Sequence, residues 1–292
     1  MSTPAVVVRG ARVRGRLTAR GRRGSGNRVA YVCGAILVLA ALVALFGPLL
    51  APHDPDESNL ANAFVGPVAG HPLGFDAQGR DLLSRLLVGA RSAMVGPAFV
   101  VLISVLAGAL LAIVAAWRGG WVDSAISTVL DIVFAFPAIL LAILAAAVFG
   151  AGLTAPTIAL AIAYTPYVAR VLRGAALRER AREYVAASEV QGLPAWRICA
   201  RHLVPNLAPL IVAQATLLFG YAMVDFAAVS YVGLGVQPPQ ADWGVMVSTG
   251  QSGVLQGYPM ESLAAGLCLV VVVVAVNLLG ERLAQRDSEV SR

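Results

Sequence analysis

The sequence contains no lysine, so all 22 of its basic residues are arginine. A Walker-type phosphate-binding loop needs a lysine that reaches the phosphates, and this absence excludes an ATP-hydrolysing domain of that type from the chain. Charge of either sign is also scarce, because 13% of the residues are charged and 58% are hydrophobic, whereas soluble domains average about 25% and about 45–50%. This composition is typical of a protein that lies in a membrane.

Cysteine and histidine are scarce too, with three residues of each type. The cysteines are far apart and match no metal-ligand spacing, so we predict small buried side chains rather than disulfides or metal ligands. The histidines are scattered and form no constellation with Cys, Asp or Ser. We therefore predict no catalytic residue, no metal site and no enzymatic activity. The residues concerned are Cys33, Cys199, Cys268, His53, His71 and His202.

Long hydrophobic runs are abundant. A helix needs about 20 apolar residues to cross roughly 30 Å of hydrocarbon, and six stretches reach that length. The first is longer than the apolar core of a signal peptide, about 7–15 residues, and lacks a clear cleavage site, so we predict an uncleaved span. The predicted fold class is an all-α membrane protein with six transmembrane helices. The six stretches are 29–50, 92–116, 125–149, 153–172, 207–231 and 262–280.

The arginines predict the orientation of these helices. Eight of them lie in the first 28 residues without any acidic residue, and seven lie in the segment 170–206, whereas 231–262 has none. Because cytoplasmic loops carry the excess of arginine, both termini and the 170–206 segment are predicted to be cytoplasmic. A net charge of +6 raises nucleic acid as a partner, but arginines placed beside an apolar run favour membrane lipid instead.

These assignments divide the chain into five predicted parts without a separate soluble domain. The outer segment begins as an irregular loop and ends, from Arg80 to Arg91, in an amphipathic helix predicted to lie on the membrane surface. The parts are an arginine-rich tail at 1–28, the first span at 29–50, the external segment at 51–91, a five-helix core at 92–286 with a cytoplasmic loop at 173–206 and an external loop at 231–262, and a cytoplasmic end at 287–292.

Two acidic residues, Asp131 and Asp225, fall inside predicted spans, where a carboxylate is costly and is therefore a candidate site. Each of them either lines a polar path through the membrane or makes an internal hydrogen bond to a neighbouring helix. Small residues at four-residue spacing, such as Gly108 and Ala112, are equally open to two interpretations, internal helix packing or contact with a partner subunit.

The segment 183–206 interrupts the apolar spans with a charged but helix-patterned stretch. Each arginine at the bilayer centre costs about 2.5–3.5 kcal/mol, so the segment is predicted to stay outside the hydrocarbon. Gly192 is placed to stop a first helix in the left-handed conformation, and Pro194 suits the first turn of a second one. Trp196 and Leu203 are predicted to share an apolar ridge. Such a ridge either docks on a partner protein or lies on the membrane surface as part of a linker.

This stretch resembles the EAA loop of the inner-membrane permease subunits of bacterial ABC importers, whose pattern is Glu-Ala-Ala, three residues, Gly, nine residues and Ile-x-Leu-Pro. The spacing from Gly192 to Pro205 matches, and Pro205 is also predicted to end the second helix, but Ala186 stands where the family has an acid. The resemblance implies a coupling helix that sits in a groove of the ATPase. The implied coupling residues are Ala186, Ala187, Ser188, Glu189, Gly192, Leu193, Pro194, Trp196 and Pro205.

Three further motifs narrow the resemblance to the C-type permease subunit of dipeptide, oligopeptide and nickel importers. They are "HPLGFDAQGRDLLSRLLVGAR" at 71–91, "GGWVDSAISTVLDIVFAFP" at 119–137 and "VSYVGLGVQPPQADWGVMV" at 229–247. The resemblance implies a type I ABC importer permease fold in the bacterial inner membrane, a homologous B-type permease subunit, one or two kinds of ATPase subunit that bind ATP and Mg²⁺, an extracytoplasmic substrate-binding protein, and no cofactor on this chain. Peptides are favoured over nickel because no cluster of His or Met faces a plausible path.

The outer loop after the fifth span is predicted to receive the binding protein together with the 71–91 segment. Its glycines allow a tight turn, its prolines stiffen the chain, and Trp243 is suited to anchor at the membrane interface. The alternative is a rigid plug without contact to substrate. The candidate docking residues are Arg80, Asp81, Gln237, Pro238 and Trp243.

Two hypotheses from other classes are a secondary transporter that works alone and a scaffold or assembly factor. A secondary transporter should have two similar halves and paired charges at the membrane midplane, and this sequence has neither. A scaffold would not need the charged segment 183–206.

Overall fold

The computed structural model of this chain describes residues 19–290, with side chains from residue 28 to residue 284. The described residues form eleven α-helices, a short 3-10 helix and one π-helical turn, with no β-strand beyond two isolated bridges. The all-α prediction is confirmed. The helices are α1 (Ala19–Leu50), α2 (Leu82–Arg118), α3 (Gly120–Phe134), α4 (Ala138–Phe149), α5 (Thr154–Arg180), α6 (Glu183–Val190), α7 (Ala195–Ile198), α8 (Val204–Tyr231), α9 (Trp243–Thr249), α10 (Gln251–Leu255) and α11 (Met260–Val290).

Five helical segments of the described chain are long and apolar enough to cross a membrane: α1, α2, α5, the continuous segment Ala195–Tyr231 that ends in α8, and α11. The pair α3 and α4, bent by 77°, makes a sixth candidate when it is counted as one span. The bend lies at Pro137, which has no backbone N–H and disfavours a helical conformation in the residue before it. The predicted single helix at 125–149 is therefore two helices, although the count of six agrees with the sequence.

The two ends of the helix bundle carry different connecting segments. At one end Arg180, the last residue of α5, donates a hydrogen bond to the Ala116 carbonyl of α2 (2.6 Å). At the other end the Gly152 N–H donates to the Leu234 carbonyl (3.3 Å). We call the segment 183–203 the elbow and the segments 51–81 and 232–259 together the cap.

α2 and α5 pack closely along their length. A Cβ added at Gly108 of α2 would lie 2.9 Å from the Val168 Cβ of α5, and the Ser104 hydroxyl donates to the Ala161 carbonyl (2.9 Å). Ala112, one turn after Gly108, is also buried. These small residues serve packing within the chain, as is common where helices associate inside lipid.

The predicted surface helix at the end of the outer segment is the first part of α2. Asp81 caps this helix by accepting a hydrogen bond from the Ser84 N–H (2.8 Å), and Leu82 is already fully buried. The 37 residues of α2 span about 55 Å, which exceeds the roughly 30 Å of hydrocarbon. The first turns of α2 therefore project into the cap. Of the predicted tail, residues 1–18 lie outside the described part, and residues 19–28 continue α1.

Candidate functional site

The bend of the elbow lies at Gly192, as the sequence predicts. Its φ is +75°, its N–H donates to the Glu189 carbonyl (2.9 Å), and the Leu193 N–H donates to the Ser188 carbonyl (3.2 Å). This pair of bonds is the Schellman arrangement, which satisfies the last carbonyls of α6. Because the left-handed conformation is unstrained only for glycine, α7 leaves α6 at a defined angle, beginning directly after Pro194.

The inner face of the elbow is buried against the bundle. Val185, Ile198 and Leu203 form a fully buried cluster, and the Ser188 hydroxyl bonds to the carbonyl of Tyr184 (2.8 Å). Two predictions are corrected here, because Leu203 is not part of an exposed ridge and Ser188 faces inward. Helical spacing places Leu203 on the same side as Trp196, but a π-helical turn lies between them and rotates the later residue inward.

The outer face of the elbow presents two large apolar side chains to the surroundings. Trp196 is 67% exposed and Val190 is 89% exposed, while Ala186, Glu189 and Pro194 are exposed beside them. Val190 was not among the residues predicted from the sequence, although its position just before Gly192 and about half a turn away from buried Val185 could have indicated it. An apolar patch outside the hydrocarbon is typical of a protein contact site.

A buried carboxylate anchors the elbow. Glu179 is nearly inaccessible and accepts hydrogen bonds from the Tyr184 hydroxyl (2.5 Å) and the Asn206 amide (2.6 Å). It also pairs with Arg182 (2.9 Å). Burial and the neighbouring Glu179 raise the pKa of Tyr184, so this hydroxyl remains a donor at neutral pH. Sequence analysis missed Glu179, which joins the elbow to α5 and α8.

Pro205 does not end a helix, contrary to the prediction. It lies in the first turn of α8, where a missing N–H is tolerated. The turn before it, Cys199–Leu203, is π-helical, and the Val204 N–H bonds to the Cys199 carbonyl. A π-bulge of this kind accommodates a local irregularity without breaking the helix, and the elbow therefore continues directly into α8.

Asp131 is paired with an arginine of the next span. The Arg170 guanidinium donates to its carboxylate (2.6 Å) and stacks on the ring of Phe134, 4.2 Å from the centroid. A parallel pair, Arg173 with Asp123, lies nearer the elbow end. These two ion pairs hold α3 against α5.

Asp225 accepts a hydrogen bond from the Tyr164 hydroxyl (2.7 Å). Tyr164 lines an open cavity of about 400 Å³ at the bend between α3 and α4. Asp225 thus makes the hydrogen bond to a neighbouring helix, and it contacts the cavity only through Tyr164. The cavity is lined by Phe134, Phe136, Pro137, Ala138, Ala163, Tyr164, Tyr167 and Tyr221.

Three of the five candidate docking residues in the cap are buried, which corrects the sequence-based assignment. The guanidinium of Arg80 donates to the carboxylate of Asp76 (2.6 Å), Asp81 caps α2, and the Trp243 indole donates to the Leu86 carbonyl (2.9 Å). Trp243 therefore packs inside the cap and not at a membrane interface. Gln237 and Pro238 are exposed and remain candidates for docking.

Arg85 of α2 contacts both segments of the cap and was not among the residues predicted from the sequence. Its side chain is 1% exposed and donates to the carbonyls of Pro55 (3.0 Å) and Pro239 (3.3 Å). It also faces the carboxylates of Asp56 (3.4 Å) and Asp76 (3.6 Å). One guanidinium thus connects α2 to both segments of the cap, because its fork of N–H groups reaches several acceptors at once.

The interpretation that the histidines are separate is wrong for two of them. His53 and His71 stack with ring centroids 4.1 Å apart, and His71 is hydrogen-bonded to Asp81 (2.8 Å). His202 lies far away, on the elbow.

Comparison with known proteins agrees with this architecture. The family described as "Binding-protein-dependent transport system inner membrane component" matches residues 93–287, and the "N-terminal TM domain of oligopeptide transport permease C" matches residues 22–67. The chain is 38% identical to a dipeptide transport system permease protein of Alkalihalophilus pseudofirmus, over 88% of this chain and 84% of the relative. It is 33% identical to a glutathione transport system permease protein of Pectobacterium atrosepticum, over 90% and 87%.

A third relative is the probable D,D-dipeptide transport system permease protein of Escherichia coli, which is 34% identical over 88% of this chain and 86% of its own length. The two family matches cover residues 22–67, which include most of α1, and residues 93–287, which include the helices from the middle of α2 onward. The chain is a multi-pass protein of the inner membrane and belongs to the family of binding-protein-dependent transport system inner membrane components.

Proposed function

We propose that this chain is one of two permease subunits of an ATP-driven importer of peptides. The observation that carries the proposal is the elbow, because it exposes Trp196 and Val190 on one face while its other face is fastened to the bundle. A contact site that is apolar outside and rigid inside suits the transmission of motion from a partner. The relatives named as dipeptide and glutathione permeases support the substrate class.

The partners follow from what the chain lacks. Because this chain has no lysine-containing phosphate loop, ATP and Mg²⁺ would be bound by two ATPase subunits. One of these subunits would dock on the elbow of this chain. A homologous B-type permease would complete the path, and an extracytoplasmic binding protein would deliver peptide to the cap near Gln237 and Pro238. The arginine-rich elbow end, with both termini, would face the cytoplasm.

Coupling would proceed through the contacts at the base of the elbow. When the ATPase pair closes on ATP, the displaced α6 and α7 would act on α5 and α8 through Glu179. The end of α5 would pass the motion on to α2 through Arg180. Because these contacts are buried or charge-assisted, a displacement of the elbow would move the attached helix ends by a similar amount. The ends of α2, α5 and α8 would then move together, and the path would open alternately to the two sides of the membrane.

The aromatic cavity beside Asp225 is the proposed path-lining region. Its lining residues include three tyrosines and two phenylalanines but no histidine, cysteine or methionine, so it suits a peptide better than a nickel ion. The carboxylate of Asp225 would attract the amino terminus of a peptide, and the exposed pair of Asp131 and Arg170 would add polarity at the same bend.

Reconstitution of the complete complex tests the proposed function. We expect uptake of labelled dipeptides into proteoliposomes only when the permease pair, the ATPases, ATP and the binding protein are all present, with ATP hydrolysis stimulated by the loaded binding protein. Uptake by this chain alone, driven by an ion gradient, would instead identify a secondary transporter. Failure of the ATPases to co-purify with the chain would contradict the assignment of the elbow.

Substitution of Asp225 by asparagine tests the path. If the carboxylate binds the peptide's amino terminus, the apparent KM should rise about tenfold, because one charge-assisted hydrogen bond is lost, while the ATPase rate at saturating peptide stays unchanged. Tyr164→Phe is the matched control, since it removes only the hydroxyl that bonds to Asp225. An equal loss of folded protein in both variants, without a change in KM, would assign Asp225 a structural role only.

A further inference from the structure

Three possible metal ligands from three different parts of the chain converge in the cap. His53 follows α1, His71 lies in the turn closed by the bridge to Val68, and Asp81 caps α2. One ligand atom of each lies within 4.8 Å of the other two. The Asp81 carboxylate is 2.8 Å from the His71 Nδ1 and 3.9 Å from the His53 Nδ1.

Only one of the two histidines has a hydrogen-bond partner for its Nδ1. The His71 Nδ1 and the Asp81 Oδ1 satisfy one another, but the His53 Nδ1 is buried and has no hydrogen-bond partner. A buried nitrogen without a partner is costly. This nitrogen is therefore free to bind a further group beside His71 and Asp81.

We propose that His53, His71 and Asp81 form a site for a divalent transition-metal ion, best suited to Zn²⁺, that holds three points of the cap segment 51–81 together. Two imidazoles and a carboxylate are a ligand set that Zn²⁺ accepts, with a solvent molecule in the fourth position. Metal–ligand bonds of about 2.0–2.2 Å in a tetrahedral site place neighbouring ligand atoms roughly 3.3 Å apart. In the cap the His71 Nδ1 lies 2.8 Å from the Asp81 Oδ1, and the His53 Nδ1 lies 3.9 Å from the Asp81 Oδ2. Rotation of the side chains would bring both nitrogens to the required spacing from one carboxylate oxygen.

The surroundings already orient the three ligands. The second oxygen of Asp81 accepts the Ser84 N–H (2.8 Å), and the Ser84 hydroxyl accepts the backbone N–H of His53 (3.1 Å). The ring of His71 lies between those of His53 and Phe75, with centroids 4.1 and 4.4 Å away. Such outer contacts fix ligand orientation and strengthen binding.

The site is also accessible to a metal ion from solvent. The imidazoles of His53 and His71 are 38% and 23% exposed, which leaves an entry route from the side of the cap.

Zinc binding by the purified full-length chain, carrying an affinity tag without histidine, tests the proposal. We expect one Zn²⁺ per chain by calorimetry and a higher unfolding temperature with Zn²⁺. His53→Phe keeps a flat ring against His71 but removes the nitrogen, and it should weaken binding at least about tenfold and abolish the thermal shift. His202→Phe, on the elbow, is the matched control and should bind like the unaltered chain.

Co²⁺ absorption supplies a second measurement that needs no variant. We expect the weak visible bands of nitrogen and oxygen ligation without a thiolate charge-transfer band, because the three free cysteines lie elsewhere. Thiolate bands, equal Zn²⁺ affinity in His53→Phe, or no metal binding by the unaltered chain would each overturn the proposal. His53→Gln repeats the test if the phenylalanine variant does not fold.

Discussion

Replacement of Trp196 by alanine is expected to reduce ATP-driven uptake about tenfold or more, while the amount of chain inserted in the membrane stays unchanged. The side chain is two-thirds exposed on the outer face of the elbow, so its loss leaves no cavity inside this chain. In a docked complex, a tryptophan inserted in a partner groove contributes about 2 kcal/mol or more to binding, which corresponds to a loss of affinity of about 30-fold. The measurements are ATPase affinity of the purified permease pair and peptide uptake by proteoliposomes.

Trp121→Ala is the matched control for this experiment. Trp121 is 80% exposed and lies at the start of α3, at the same end of the bundle but outside the elbow. It should leave ATPase affinity unchanged. Equal affinity losses in the two variants would show that this end binds the ATPase without a specific elbow contact, and full uptake by the Trp196 variant would rule out the tryptophan as an anchor.

Replacement of Arg85 by leucine is expected to destabilise the chain by about 3–5 kcal/mol. The carbonyls of Pro55 and Pro239 would lose a buried donor, and the buried carboxylate of Asp76 would keep only Arg80 as a cationic partner. Leucine fills part of the space but donates no hydrogen bond. Thermal or detergent unfolding should report the loss, and limited proteolysis should show cleavage first within the cap.

Arg91→Leu is the control, because it makes the same substitution on the same helix at an exposed position. Its effect on stability should be within about 0.5 kcal/mol. Arg85→Lys should fall between the two, since an ammonium group retains the charge but lacks the planar fork that reaches several acceptors. Wild-type stability of Arg85→Leu would mean that the contacts of the guanidinium contribute no net free energy.

The backbone preferences of single residues correctly predicted the bend of the elbow. Gly192 adopts the left-handed conformation, α6 ends just before it, and α7 begins directly after Pro194. The apolar runs predicted the spans because the hydrocarbon thickness sets a required length. The bend at Pro137 was missed because the apolar run continues through it, although proline itself carries the signal.

The sequence did not predict which face of each helix or loop is buried by other parts of the chain. Trp243 and Leu203 were predicted to be exposed, yet Trp243 is buried against Leu86 of α2, and Leu203 is buried against Val185 across the bend of the elbow. Conversely Val190 is exposed because no residue between 28 and 284 covers the outer face of α6. Burial depends on the neighbours supplied by other helices, and periodicity within one helix carries no information about them.

The sequence by itself determined the membrane class, the long apolar helices, the lack of a lysine-containing phosphate loop and the bend at Gly192, because length, composition and backbone stereochemistry act locally. Only the tertiary structure decided that Arg85 holds the cap together, that Glu179 fastens the elbow, and that His53 and His71 meet at Asp81. These are contacts between residues that a regular helix or turn does not bring together, and their energies exist only after the spans have packed.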